Sequence, residues 1–402
     1  MNKYVFLTAS NINIFLISIL PIGLLVGSFI GNLITLLICL IFIIELIRKK
    51  EFFFIDDINF YFLIIINLYL FLNSYFISYN SESIFKSISF LRFIFLAYAI
   101  SYYYNLAGDK ILKIWAFLFL IVSFDILFEY FFGKNIIGNS SDYHGRIASF
   151  TGDELKIGGF YFGFIFLSLS FFYKKQKIFI LLSVIFLIIA LLIGERSNFI
   201  KIFIMYLIFF IFFFKTSYLY KIITFLILTV IPISMILSNS KLQSKYINQI
   251  FDRKFMEIIK SDTKDIDLKE IISNNQYLSH YYVAKNIFEK NILFGSGFKT
   301  FRSESYKLEY NKDEINGAST HPHQLHFEIL SELGLFGYFL IISNLLFIVL
   351  KNLQYNKEVV NIAALLFVLS SMIPILPSGS FFTSYSTTIF FINYSFLIRR
   401  RF

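Results

Sequence analysis

The sequence predicts an all-α polytopic membrane protein, and three observations carry that prediction. Of 402 residues, 57% are hydrophobic and only 15% charged, where a soluble domain holds about a quarter charged residues. Apolar runs recur along almost the whole chain, long enough as helices to cross ~30 Å of hydrocarbon. Lysines and arginines concentrate on alternate connections between those runs, the pattern of loops retained in the cytoplasm. A net charge of +10 could otherwise suggest nucleic acid. Its distribution explains it without such a partner, and none is expected.

Twelve spans follow in order: 11–26, 29–47, 57–73, 86–105, 111–128, 157–173, 177–194, 197–214, 219–237, 325–350, 358–376 and 382–398. The first is read as a retained span, not a signal peptide, because another apolar run follows at once. Cys39, the one cysteine, lies inside the second span, which excludes a disulfide framework and a cysteine-based metal site. With the amino terminus in the cytoplasm, the inward connections hold Arg48, Lys49 and Lys50, Lys110 and Lys113, Lys174, Lys175 and Lys177, Lys215 and Lys221, Lys351 and Lys357, and Arg399 to Arg401. The outward connections at 73–83 and 377–382 are nearly empty of such residues.

Two outward segments are long, 129–156 and 238–324; long translocated loops escape the charge rule. Within the second, "LSHYYVAKNIFEKNILFGSGF" has the pattern of an amphipathic helix ending at Gly295 and Gly297. It is expected to lie at the membrane–water interface and partly cap the bundle. No internal repeat stands out, so residues 1–402 form one membrane domain with the loop 238–324 inserted before span ten.

The polar clusters fall on the outward side: Arg196 in "GERSN", His144 and Arg146 in "SDYHGR", then His280, Lys299 and Arg302 in the long loop, and "STHPHQLHFEIL" at its end. Arginine offers a planar fork of donors that suits phosphate and keeps its charge; a single arginine at an interface can equally be an anchor. The three clustered histidines, His321, His323 and His326, admit three readings: a metal site, for which His-x-His alone is weak, caps for the helix that opens span ten, or acid–base and acceptor-orienting chemistry. Pro322 fixes the backbone between the first two. Glu328 and Glu332 share a helix face at i,i+4 spacing, and Glu332 can orient a histidine or complement the helix dipole.

"STHPHQLHFEILSELGLFGY" resembles the signature of the O-antigen ligase and O-antigen polymerase superfamily, a His usually followed by Asn, then an apolar helix ending Glu-x-Gly-x-x-Gly. The matching positions are His323, Gln324, Glu332, Gly334 and Gly337. "SHYYVAKNIFEKNILFGSGFKTFR", "LIGERSNFI" and "GRIASFTGDELKIGGFY" are similar to the segments that precede it in that family, covering residues 140–340, and the amino-terminal "LPIGLLVGSFIGNL" is also similar. There are departures. Gln324 stands for the usual Asn, Glu195 stands where a small residue is common, and no arginine opens the loop helix around Tyr277 to His280.

The resemblance implies a lipid-donor glycosyltransferase of the bacterial inner membrane. It would move a glycan from undecaprenyl pyrophosphate to an acceptor hydroxyl at the periplasmic face, with neither cofactor nor metal. It assigns Arg196, Arg146 and Arg302 to the pyrophosphate as electrostatic stabilisers, and His323, then His321, to the acceptor hydroxyl. Lys299, His280 and Glu332 join the substrate-binding set. The acceptor is lipid A core for a ligase, which the His-led signature favours, or another lipid-linked repeat for a polymerase. A polysaccharide or ion transporter is the rival class; transporters place ionisable residues at mid-membrane. Here the spans read as almost free of charge, with Arg92, Asp125 and Glu129 toward their outer ends.

Overall fold

The computed structural model describes residues 9–141, 143, 145–154, 156–248, 275–310, 317–355, 358–374 and 376–398. His144, Lys357, residues 249–274 of the long loop and Arg399 to Arg401 lie outside them. Among the described residues the regular elements are all helices: α1 (Ala9–Val26), α2 (Ser28–Lys49), α3 (Ile58–Asn73), α4 (Ser81–Phe132), α5 (Ile157–Phe172), α6 (Gln176–Ile193), α7 (Arg196–Ile208), α8 (Tyr218–Ser238), α9 (Ser240–Gln243), α10 (Gln276–Lys290), α11 (Phe301–Glu304), α12 (Leu325–Tyr355), α13 (Val359–Ser371) and α14 (Ser384–Leu397), with short 3₁₀ and π turns and irregular loops between them. The protein is an all-α polytopic membrane protein.

Among the described residues, eight helices are long and apolar enough to cross a membrane, and α5 and α13 are shorter apolar helices. A count of twelve therefore requires α4 to pass twice and the short α5, α13 and α14 to span. Burial explains why those three need not match lipid in length. Every residue of α5 from Phe160 to Leu169, of α13 from Val360 to Val368 and of α14 from Thr387 to Leu397 is buried. A helix apolar all round belongs inside a bundle. By contrast α8 buries only Thr224, Leu228 and Pro232, one stripe at i, i+4 and i+8, and so lies at the periphery.

Two long helices are broken. In α4, Ala107 leaves helical geometry (φ −145°, ψ 30°). Tyr104 before the break and Trp115 after it both pack edge-on against Phe396, with ring centroids 4.9 and 6.2 Å apart, so the chain folds back there. In α12 the break is Gly334, with φ 67°. A Cβ there would come within 2.4 Å of the Leu293 backbone, so only glycine fits.

The freed backbone groups at that break are taken by residues 292–297. The amides of Leu335 and Phe336 donate to Ile292 and Leu293 at 2.8 and 3.1 Å, and the carbonyls of Ser331 and Glu332 accept from Ser296 and Gly297 at 2.9 Å. Tyr69 donates to the Leu333 carbonyl at 2.6 Å. Irregular backbone at membrane depth persists only where protein satisfies it, and here the end of the polar loop does so. The helix expected within that loop is α10, which ends at Lys290 and packs on the first part of α12.

Candidate active site

A cavity of about 550 Å³ opens where α5, α7 and α14 begin and α13 ends. Its wall includes Lys156, Glu195, Asn198, Lys201 and His321, with a run of small hydroxyl residues from Ser378 to Ser386. Each comes from a helix terminus or the turn beside it, apart from Lys201, which sits inside α7.

On one side stands a column of imidazoles. His280, on α10 and 2% exposed, stacks on His323 with centroids 5.0 Å apart and planes 19° apart. His321 lies 4.0 Å from His323. His323 holds a left-handed φ of 57°, uncommon for a side-chain-bearing residue, and its carbonyl accepts from the Ser378 amide at 2.7 Å. Nδ1 of His321 meets the Thr320 hydroxyl at 2.9 Å, while Nε2 of His321 and Nδ1 of His280 are buried without a hydrogen-bond partner among the described residues. Burial pushes His321 down to about 3, helped by His323, Lys299 and His280, and pushes His323 down to about 4, helped by His280. Both rings are neutral at pH 7.

His326 stands apart. Its Nε2 lies 2.8 Å from the Met372 carbonyl and its Nδ1 3.0 Å from the Tyr338 hydroxyl. A carbonyl only accepts, so Nε2 carries the proton and Nδ1 accepts from Tyr338. Both nitrogens are spent on packing. Gln324 donates to the Pro374 carbonyl at 2.6 Å and accepts from the Phe327 amide at 2.9 Å, so it caps the start of α12.

Buried carboxylates hold the surrounding loops by their amides. Glu332 accepts from Lys299 N at 2.9 Å and Phe301 N at 3.1 Å. Glu328 accepts from the Ser380 hydroxyl and from Phe381 N at 2.8 Å. Glu129 accepts from Ala148 N at 2.9 Å and Ser149 N at 2.5 Å, and Asp125 from Ile136 N at 2.9 Å. Glu332 thus fixes Lys299, whose Nζ reaches the Ser380 hydroxyl at 3.2 Å, and Glu129 fixes the segment carrying Arg146. Arg302 is exposed on α11 and within electrostatic reach of Glu82.

On the other side the cations gather at the α6–α7 turn. Arg196 opens α7 and donates to the Lys245 carbonyl at 3.4 Å. The Lys245 ammonium donates to the Gly145 carbonyl beside Arg146. Burial, with the fields of Arg146 and Arg196, pushes Lys245 down to about 8. Glu195 accepts from Asn198 at 2.6 Å and Gly158 N at 3.3 Å. Burial raises its pKa against the opposing fields of Arg146 and Lys245. Among the described residues no three His, Cys, Asp or Glu side chains are grouped as a metal ion would require.

The structure therefore brings Arg196 to Arg146, and His321 to His323 and His280 with Lys299 beside them; it places Arg302 and His326 apart. Two residues that sequence reasoning passed over join the site. Lys245 gave no signal beyond being one lysine in a mixed-charge loop. Lys201 did give one, an ionisable residue within an apolar run, and it corrects the reading of the spans as nearly free of charge.

The fold and site define a helical membrane protein with an end cavity lined by His321, Glu195 and two lysines, and with a histidine column and an arginine–lysine cluster next to those residues. Residues 179–342 match the family model described as O-Antigen ligase, which supports the resemblance to the O-antigen ligase and O-antigen polymerase superfamily. The matched segment includes every residue of the cation and histidine clusters except Arg146. No curated protein matches the chain.

Proposed function

We propose that the protein is a periplasm-facing glycosyltransferase that moves a glycan from undecaprenyl pyrophosphate to an acceptor hydroxyl, acting as an O-antigen ligase on lipid A core. The supporting observation is a cavity lined by both Glu195 and His321, with Arg146, Arg196 and Lys245 in the electrostatic neighbourhood of Glu195 and of one another. Arg196, Arg146 and Lys245 take the diphosphate and stabilise the charge it gains as the leaving group. Lys299 contributes from the histidine side, and the exposed Arg302 acts only at the rim. The acceptor oxygen attacks the anomeric carbon, the bond from that carbon to the diphosphate oxygen breaks, and the hydroxyl proton passes to an imidazole.

His321 lines the cavity, so it takes the acceptor role here, with His323 and His280 stacked behind it as positioning residues. An imidazole as weakly basic as His321 is a poor proton acceptor at pH 7. Its first task is to accept a hydrogen bond from the hydroxyl and aim it, the proton moving fully only as the bond to the diphosphate fails. Glu332, with both oxygens on backbone amides, positions the Lys299 loop and does not touch substrate.

Transfer from a purified undecaprenyl-pyrophosphate-linked glycan to lipid A core, against transfer to a second lipid-linked repeat, separates ligase from polymerase. Arg196→Lys keeps charge but loses the forked donor. Most transfer should vanish while membrane abundance persists, and full transfer by that variant would reduce Arg196 to an interface anchor.

A further inference from the structure

Lys201 is an ammonium with little to do. It is 4% exposed, inside α7, and forms part of the cavity wall. Its Nζ reaches the Pro377 carbonyl at 3.4 Å and lies 5.7 Å from the Phe162 ring centroid. Among the described residues no carboxylate lies within ion-pair distance of it. The carboxylate that reaches it electrostatically is Glu195, which also serves Arg146 and Lys245 and is already hydrogen-bonded to Asn198 and Gly158. Burying an ammonium costs far more than one long carbonyl contact returns. Among the described residues the Ser378 hydroxyl on the same wall is likewise buried without a hydrogen-bond partner.

We propose that the inner part of the cavity is a second anion subsite, distinct from the arginine cluster, in which Lys201 takes a carboxylate or phosphoryl group borne by a sugar of the bound glycan, with Ser378 and Asn198 donating beside it. The inference rests on the reading that this cavity receives the lipid-linked glycan. Lys201 lies five residues along α7 from Arg196, about 7.5 Å deeper by helical rise. The arginine cluster already supplies the diphosphate's counter-charge, so an additional buried cation calls for an additional anion, and the hydroxyl-lined wall suits the ring that carries it. Lys156, which donates to Ser28 at 3.0 Å, also lines the cavity.

The test is amine-reactive methylation of the full-length protein in lipid nanodiscs, with labelling of Lys201 read by mass spectrometry. Glucuronate, glucose 6-phosphate, glucose and inorganic pyrophosphate serve as probes. A sugar acid held at ~10 times its Kd should slow labelling about tenfold, while glucose leaves it unchanged. Protection by glucuronate alone assigns a carboxylate and by glucose 6-phosphate alone a phosphoryl group. Protection by pyrophosphate with none by either sugar acid would overturn the proposal, as would equal protection by glucose. Lys201→Met exchanges a buried charge for an apolar chain of similar length, and in it the sugar acids should no longer protect Lys156; persistent protection there also overturns it. None of these readings depends on turnover. A protein that protects Lys201 yet transfers nothing keeps the subsite and loses the glycosyltransferase reading.

Discussion

His323 and Lys299 both hold left-handed backbone, at φ 57° and 60°, and both border the cavity region. Such strain costs of order 1–3 kcal/mol and collects at functional sites. At His323, Asn tolerates this backbone better than Ala does, so His323→Asn should fold at least as well as His323→Ala. With His323 behind His321, both variants should lose transfer through misplacement of His321, whereas His321→Ala should lose ~10²–10⁴-fold, the usual range for a lost acid–base group. His326→Ala should cost stability more than rate. Normal transfer by His321→Ala at equal membrane abundance would end this assignment. The pH profile gives a second check. Depressed folded values leave His321 and His323 neutral above about pH 4, while Lys245 loses its proton as pH rises through about 8. Transfer should therefore be flat from mildly acidic to neutral pH and fall on the alkaline side. A rise through about pH 6.5, where an unperturbed imidazole titrates, would contradict the neutral-histidine reading. The sequence announced these histidines and Arg196 by type and position. It placed His323 ahead of His321; the order proposed here is reversed because His321 lines the cavity, whose wall is completed by Ser378 and its neighbours far along the chain.

At the level of elements, one device recurs: a buried carboxylate on a helix accepts backbone amides from the loop that carries a cation or lines the cavity. Glu129, Glu328 and Glu332 all act so. A carboxylate near a span's start reads from sequence alone as a catalytic group or a dipole complement. Only the fold shows which amides meet it. The break in α12 escaped the sequence reading for the same reason. Apolar residues run on past Gly334 and suggest one span, while its stabilising partner, residues 292–297, sits in a segment that looks like a polar loop. Gly334→Ala should sharply lower the folded population, since it meets both a left-handed φ and a 2.4 Å approach to Leu293. Gly379→Ala, where an added Cβ meets nothing within 4 Å, should accumulate normally. Equal abundance of the two in detergent extracts would remove the steric argument for the break.

For the whole molecule, composition and periodicity sufficed for the class, because a bilayer demands helices whose backbone groups are satisfied internally. They could not separate lipid-facing from enclosed helices: both are apolar, and α5, α13 and α14 differ from the outer spans in being wrapped by neighbours. The lysine and arginine asymmetry is the basis on which we propose that both termini lie in the cytoplasm. A reporter fused after Arg401 should be active only there; one active only in the periplasm would invert the topology and move the cavity to the other face.

The union of residues 292–297 with the broken span also constrains how the protein is made. The carbonyls of Ser331, Glu332 and Leu333 accept from Ser296, Gly297 and the Tyr69 hydroxyl; left bare in hydrocarbon, such groups cost several kcal/mol each. Residues 292–297 are synthesised before α12, so that segment can be across the membrane and waiting when the span arrives. Insertion of span ten should then depend on a segment made before it, whose backbone meets the break at Gly334. Damage to that segment would surface first as a chain that stalls during integration, before any catalytic defect could be measured.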